Sequence, residues 1–333
     1  MGEGGAASQE QIDWVTKDLK DHAEAFHTVA LMHKPYWIES VARGKPDALH
    51  TIFVQNGVDT VFTGHYHRYF AGEFDGIQYT SIGSSGGGTE EDPTGLMYHF
   101  GWATFDGKKL SITPIKMGAV LPWDQVSAAD FLLFRAMNNR ALAVGAAVVD
   151  GMDVPRTRIT VNIRNLSAES EMADELVWKI PDGWSVEPAK TSVKIAPSSE
   201  VSRIFEIECD GPLFPGPTLT ANCPYRGGRT FKVEAPLPVR RRVLAFKAKE
   251  KPTIDGAIDE AVWKEAEEDF FAPYGSEVKA EPVKFYFAYG QGNLYLAATC
   301  EESEMDQLSA NVAERDGAVY GGDCVGYLSL IHI

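Results

Sequence analysis

The sequence predicts a multidomain chain in which an α/β unit precedes β-sandwich architecture. Three observations carry this. Over residues 8–63, helical periodicity alternates with short apolar runs, the pattern of helices laid on a strand layer. From about residue 144 the style changes to short alternating strands punctuated by turn residues, as a β-sandwich requires. The chain has 333 residues, 44% of them hydrophobic, enough for two to three packed domains.

The elements follow in order. Ser8-Gln9-Glu10-Gln11 has the form of a capping box. The helix after it places Ile12, Val15, Leu19 and Phe26 on one face. Residues 28–32 form an apolar run that reads as a buried strand, entering His33-Lys34-Pro35-Tyr36-Trp37. Residues 46–55 read as a helix closed by Asn56-Gly57. Residues 58–63 read as a strand that ends in Gly64-His65-Tyr66-His67. A strand over 79–82 leads to the flexible loop Ser84-Ser85-Gly86-Gly87-Gly88. Strands over 98–105 and 109–115 join at Asp106-Gly107, a hairpin signal. Leu121-Pro122 marks a break, and 124–142 reads as a connecting helix. In 158–164, Ile159, Val161 and Ile163 alternate as one buried face. Further strands are expected over 176–180, 192–195, 202–208, 218–222 and 230–234, with Trp178 and Trp184 in the core. Residues 235–243, with Pro236, Pro238 and Arg240-Arg241-Arg242, read as a solvated linker.

The chemistry concentrates in Gly64-His65-Tyr66-His67. Two histidines two residues apart on extended backbone share one face. Neutral imidazole ligates Zn, Mn, Fe and Ni. His33 stands in a parallel setting, at the end of strand 28–32. Two strands thus deliver histidine at their C-terminal ends, the edge where α/β sheets build sites.

The succession of strand, His33-Lys34-Pro35, helix, strand and Gly64-His65-Tyr66-His67 resembles the calcineurin-like metallophosphoesterases, over residues 8–118. The resemblance implies a partial αββα sandwich and a site of two divalent or trivalent metal ions (Zn, Mn, Fe or Ni). It implies that His33 and His65 hold one metal and His67 the other. The reaction implied is hydrolysis of a phosphomono- or phosphodiester. In that family the first half of the domain carries D-x-H, G-D and G-N-H motifs, and none occurs here. Asp13, Asp18, Asp21, Asp47 and Asp59 lie in none of those patterns. The expectation is a chain that begins within its catalytic domain, is inactive alone, and has its catalytic histidine upstream. Residues 1–122 are the expected phosphoesterase part, and 123–143 the connector.

Pro181-Asp182-Gly183-Trp184, followed by Val186 and Pro188, resembles a turn of the immunoglobulin-like domains appended to bacterial glycan-active enzymes, giving an immunoglobulin-like sandwich over 144–239 and a linker over 240–250. Residues 253–263, with Asn293-Leu294-Tyr295-Leu296, Arg315-Asp316-Gly317 and Asp323, resemble family 9 carbohydrate-binding modules. That implies a truncated β-sandwich over 251–327. Trp263 falls in its structural opening motif. Tyr286, Tyr289, Tyr295 and Tyr320 are the candidate sugar contacts, since a pyranose has an apolar face that aromatic rings cover. Residues 328–333 read as a non-native tail.

The formal charge of −16 argues against nucleic acid or anionic membrane as a partner. No run of ~18 apolar residues suggests a membrane span, and Met1-Gly2-Glu3-Gly4-Gly5 does not form a signal peptide. Domain resemblance implies an extracellular or periplasmic place. Cys209, Cys223, Cys300 and Cys324 are too widely spaced for a zinc pattern. Cys209 and Cys223 flank a turn and could pair, although free core cysteines are favoured. Two readings follow: a secreted phosphoesterase tethered to glycan, or a glycan-binding, surface-anchoring protein on a non-catalytic phosphoesterase-like scaffold. A glycoside hydrolase accessory role would need paired carboxylates in one cleft, and no such pair stands out.

Overall fold

The computed structural model describes residues 7–84, 88, 96–105, 107, 110–149, 153–242, 244–265, 267–269, 283–309, 314, 317 and 322. Strand outweighs helix, and the strands fall into several sheets. Tyr320, Cys324, residues 85–87, Asp106, Arg315, Asp316, Asp323 and the expected tail 328–333 lie outside the described residues.

In the first unit, helix α1 (Gln9–Asp21) opens on the expected capping box. Ser8 Oγ accepts from Gln11 N–H at 3.2 Å, and the Gln11 side chain accepts from Ser8 N–H at 3.0 Å. Phe26 lies beyond this helix and is exposed rather than on its apolar face. Strand β1 (Val29–Leu31) is followed by α2 (Ile38–Arg43), which the sequence reading missed, and by α3 (Ala48–Gln55). Asp47 caps α3, and Gly57 takes φ 69° just past its end. Strands β2 (Thr60–Thr63), β3 (Phe70–Phe74) and β4 (Ile77–Ser81) complete a sheet of order β1-β2-β4-β3. The first three strands in that order are parallel, and β3 is antiparallel to β4. The β3–β4 turn, Asp75-Gly76, has φ 48° and 80°, as a tight hairpin turn demands.

The central strands are buried, but β1 is not. Val29 is 39% and Leu31 76% exposed, which corrects the expectation of a buried strand. The reason is position: β1 is the sheet edge and has a neighbour on one side only.

A three-stranded antiparallel sheet follows, formed by β5 (His99–Phe105), β6 (Leu110–Lys116) and β7 (Ala119–Val120). Helix α4 (Ala128–Arg140) is the expected connector, two to four residues shorter at each end. Then come β8 (Leu142–Val144) and β9 (Ala147–Val149). The sandwich proper comprises β10 (Val154–Arg164), β11 (Met172–Lys179), β12 (Trp184–Glu187), β13 (Lys190–Ile195), β14 (Glu200–Cys209), β15 (Thr218–Tyr225) and β16 (Arg229–Pro236). Its two sheets run β12-β14-β10-β8 and β13-β11-β15-β16. Trp178 of one sheet meets Phe205 of the other edge-on at 5.5 Å, and Ile159, Val161 and Ile163 point into the core between them. Part of the expected linker is instead strand β17 (Val239–Arg241), paired in parallel with β9.

The last described region holds β18 (Phe246–Lys247), α5 (Ala261–Glu265), β19 (Glu267–Asp269), β20 (Val283–Gly290) and β21 (Asn293–Cys300), with β20 at the centre of the sheet. Its core is small: Trp263, Tyr286, Ala288 and Tyr295. Among the described residues, no helix is long and apolar enough to cross a membrane.

Helix α4 joins the first sheet to the sandwich. Phe131 stacks on Phe70 at 4.1 Å, while Phe134 stacks on Phe231 at 4.7 Å and meets Tyr225 edge-on at 4.9 Å. The two phenylalanines are three apart and serve neighbours on two sides. Asp130 closes the helix N-terminus by accepting from Ser127 N–H and Oγ at 3.0 and 2.8 Å. Its buried carboxylate also pairs with Arg226 of the sandwich at 3.1 Å.

Phe131→Ala should therefore cost about 3–5 kcal/mol, read as a lower unfolding free energy in urea. A loss under ~1 kcal/mol would show that the stack does not join the units. Cys209 and Cys223 are buried, not joined by a disulfide and on different sheets, whereas Cys300 is exposed. Burial, with Asp174 nearby, pushes the Cys223 thiol up to about 12. At pH 8 iodoacetamide should modify Cys300 readily and Cys223 only after unfolding, because the thiolate is the reactive form. Peptide mass spectrometry distinguishes the two, and native-state labelling of Cys223 would contradict the packing.

Candidate metal site and the cavity beside it

The sheet register builds the site. Leu31 pairs with Phe62, and the ladder continues past both strands, with Met32 N–H donating to the Phe62 carbonyl and Gly64 N–H to the His33 carbonyl, each at 3.0 Å. His33 and His65 therefore leave adjacent parallel strands at the same height. His65 Nδ1 lies 3.2 Å from His33 Nε2, and the rings meet edge-on at 5.1 Å.

The backbone of Gly64-His65-Tyr66-His67 is not extended, as the same-face argument assumed. His65 has φ 75° and His67 φ 53°, both left-handed. Histidine tolerates this region better than most residues, and such conformations at about 1–3 kcal/mol each cluster at functional sites. The turn places His65 against His33 and His67 against the Gly88 carbonyl. His67 Nδ1 lies 2.7 Å from the Gly88 carbonyl and so donates to it, leaving Nε2 as the lone-pair nitrogen. That bond has the form that orients metal-ligating histidines.

The geometry can be tested against a metal. Two imidazole nitrogens each ~2.1 Å from one tetrahedral ion lie about 3.4 Å apart. The 3.2 Å contact of His33 and His65 is a ring-to-ring hydrogen bond, one nitrogen donating to the other, and its length is also close to the spacing of two ligands of one ion. Among the described residues, no group of three or more His, Cys, Asp or Glu is arranged to hold a metal ion. His67 does not join the pair in such a group, and no carboxylate completes it.

Beside the pair lies a cavity of about 570 Å³, lined by Lys34, His65, Tyr66 and Arg135 among others. Arg135 Nη1 donates to the Tyr66 hydroxyl at 3.1 Å, and its guanidinium carbon sits 5.0 Å from the centre of the Tyr66 ring. The Tyr66 ring packs on Phe131 at 5.0 Å and on His65 at 5.1 Å. Sequence reasoning missed Tyr66 and Arg135. Tyr66 was within reach, since it sits inside the histidine motif. Arg135, 69 positions away on α4, carries no local signal.

Two other histidines act as structural clasps. His99 Nε2 accepts from Gly83 N–H at 3.1 Å, and its Nδ1 donates to the Leu96 carbonyl at 2.7 Å. A Cβ on Gly83 would approach the His99 ring to 2.5 Å, so a larger residue there would displace this clasp. His50 is buried between the Tyr79 hydroxyl at 2.7 Å and Asp75 at 3.1 Å, tying α3 to the β3–β4 hairpin.

The candidate sugar contacts divide. Tyr286 and Tyr295 are 8% and 6% exposed, packed around Trp263, so neither ring offers a face to solvent. Tyr289 is 47% exposed.

No family model and no curated protein matches the chain. Among solved structures, the chain is similar to that of the E. coli chaperone DraB, at 16% identity and a TM-score of 0.17. The match spans 29% of this chain and 55% of the chaperone, and it carries no argument here.

Titrated with Zn²⁺ or Co²⁺, the chain should bind one ion weakly through the paired histidines. His33→Ala and His65→Ala should each abolish the imidazole shifts seen by NMR. Shifts that persist in both variants would place the ion elsewhere.

Proposed function

We propose that the chain is part of a secreted, metal-dependent phosphoesterase of the calcineurin-like group, with a glycan-binding module at its C-terminal side. The observation that carries this reading is the His33–His65 pair, delivered by adjacent parallel strands at a ligand-like separation of 3.2 Å. His67 supports it, because its Gly88 hydrogen bond presents Nε2 for a second ion. Zn, Mn, Fe and Ni all suit imidazole. Such ions, when bound, supply a hydroxide nucleophile and neutralise charge on the phosphoryl oxygens. Two ions held close together repel, and neutral imidazoles do not offset that repulsion. The reading therefore needs anionic ligands beyond the described residues. Orientation is what these residues contribute: the parallel ladder sets His33 against His65, and the Gly88 hydrogen bond orients the His67 ring.

A second reading is a glycan-binding protein on a non-catalytic phosphoesterase-like scaffold. In support of a glycan role, Tyr289 is an exposed aromatic on β20.

Hydrolysis of bis(4-nitrophenyl) phosphate with added Mn²⁺ or Zn²⁺ separates the readings. Residues 1–333 alone should show no turnover. A longer polypeptide that adds carboxylate ligands ahead of Met1 should show turnover that is lost in His65→Ala. Turnover by the 333-residue chain that vanishes in His65→Ala would overturn the ligand argument. Inactivity of both, with retention on insoluble polysaccharide, would leave the second reading.

A further inference from the structure

We propose that the outward face of the β5–β6–β7 sheet is a carbohydrate-binding surface, on which Phe100 and Trp102, with Tyr98 beside them, stack on the sugar rings of a neutral, linear polysaccharide. The inference goes beyond the glycan module proposed at the C-terminal side and does not rest on it.

Strand β6 divides the sheet into two unlike faces. Leu110, Ile112 and Pro114 are buried on one side, whereas Ser111, Thr113 and Ile115 alternate with them and are exposed or half-buried. The register sets Phe100 opposite Ile115 and Trp102 opposite Thr113, so both rings belong to the outward face. An antiparallel sheet buried on one side ordinarily turns polar side chains to water on the other. Here Phe100 is 55% and Trp102 60% exposed, and Tyr98, at the next alternate position just ahead of the strand, is 69% exposed. Alternate strand residues stand about 7 Å apart, so the three positions extend over roughly 14 Å. A contiguous apolar patch left in solvent marks a binding surface.

The rest of the face indicates the ligand. Thr104 stands opposite Ser111 on the same side as the rings, and together with Thr113 they bring hydroxyls to it. None of these positions carries a charge. A pyranose has an apolar face of C–H groups and a rim of hydroxyls, so rings and hydroxyls without charge match a neutral sugar. Nucleic acid also stacks on strand aromatics, but it requires cations along its backbone. The net charge of −16 opposes it further. A row of three aromatic positions is longer than one sugar ring, which favours a polymer over a monosaccharide. β5 is also the edge of its sheet, so among the described residues no strand flanks the row on that side.

The test is native affinity electrophoresis of the 333-residue chain through gels containing hydroxyethylcellulose, arabinoxylan, laminarin or soluble starch, against a gel without polysaccharide. At least one polymer should retard the chain. Trp102→Ala should weaken that affinity about tenfold, since one stacked ring contributes on the order of 1.4 kcal/mol. Trp102→Phe, which keeps a ring, should weaken it less, and Phe100→Ala should also weaken it. These side chains are exposed, so the variants should keep their urea midpoints, which separates lost binding from lost folding. Tyr289→Ala tests the C-terminal module separately. Weakening in folded Trp102→Ala upholds the proposal whatever Tyr289→Ala does. Retardation that only Tyr289→Ala removes would overturn it and leave the module in place. No retardation by any polymer, or retardation unchanged in folded Trp102→Ala and Phe100→Ala, would overturn it as well. Sedimentation velocity covers the other occupant: a dimer that Trp102→Ala dissociates would assign the face to a second copy of the chain and overturn the proposal.

Discussion

The aromatic stacking along helix α4 is the interaction on which the rest of the arrangement depends. Phe131 lies flat on Phe70 of the first sheet, and three residues later Phe134 lies flat on Phe231 of the sandwich. A single helical turn thereby joins two cores into one apolar cluster. Large aromatic faces suit this role because they bury much area and prefer defined geometries. Asp130 adds direction: buried, capping its own helix and paired with Arg226, it fixes how the helix enters the junction. The same helix then carries Arg135 to Tyr66. The histidine motif's neighbourhood is therefore completed by an element that a reading of the chain treats as a mere connector.

The histidine pair depends on a different constraint, the parallel ladder between β1 and β2. Register in a parallel pair is set residue by residue, and one step of slip would send alternate side chains to the other face. Here the ladder extends two residues past β1 and one past β2, which brings His33 level with Gly64 and so next to His65. The edge position of β1 makes this a poorly supported ladder. Leu31 is largely exposed, and α1 covers the strand only in part, with Ile12, Val15 and Leu19 incompletely buried. Sites work well when rigid elements hold them, and His33 is the ligand candidate with the weakest backing.

Much of the architecture was legible in local pattern. The capping box at Ser8, the Asn56-Gly57 helix stop, the β5–β6 hairpin and the alternation of Ile159, Val161 and Ile163 all depend on neighbours within a few residues. Helix α2 escaped notice because six residues are too few for periodicity to register. β17 escaped because prolines and an arginine triplet suggested a linker, and only its pairing with β9 makes it a strand. Burial of β1 was misjudged because an apolar run does not reveal whether its strand is central or at an edge.

For the site, the sequence by itself determined the residue types and their delivery: histidines placed just beyond two strand ends, in motifs local enough to be read directly. Three matters were decided only by tertiary structure. Left-handed backbone at His65 and His67, rather than strand alternation, sets where the rings point. The close approach of His33 and His65 follows from a register spanning 32 residues. Arg135 reaches Tyr66 across 69 residues, because aromatic packing of α4 brings them together. The physical reason is common to all three. Local pattern specifies which surfaces prefer burial, whereas distances between distant side chains depend on how buried surfaces are shared among elements.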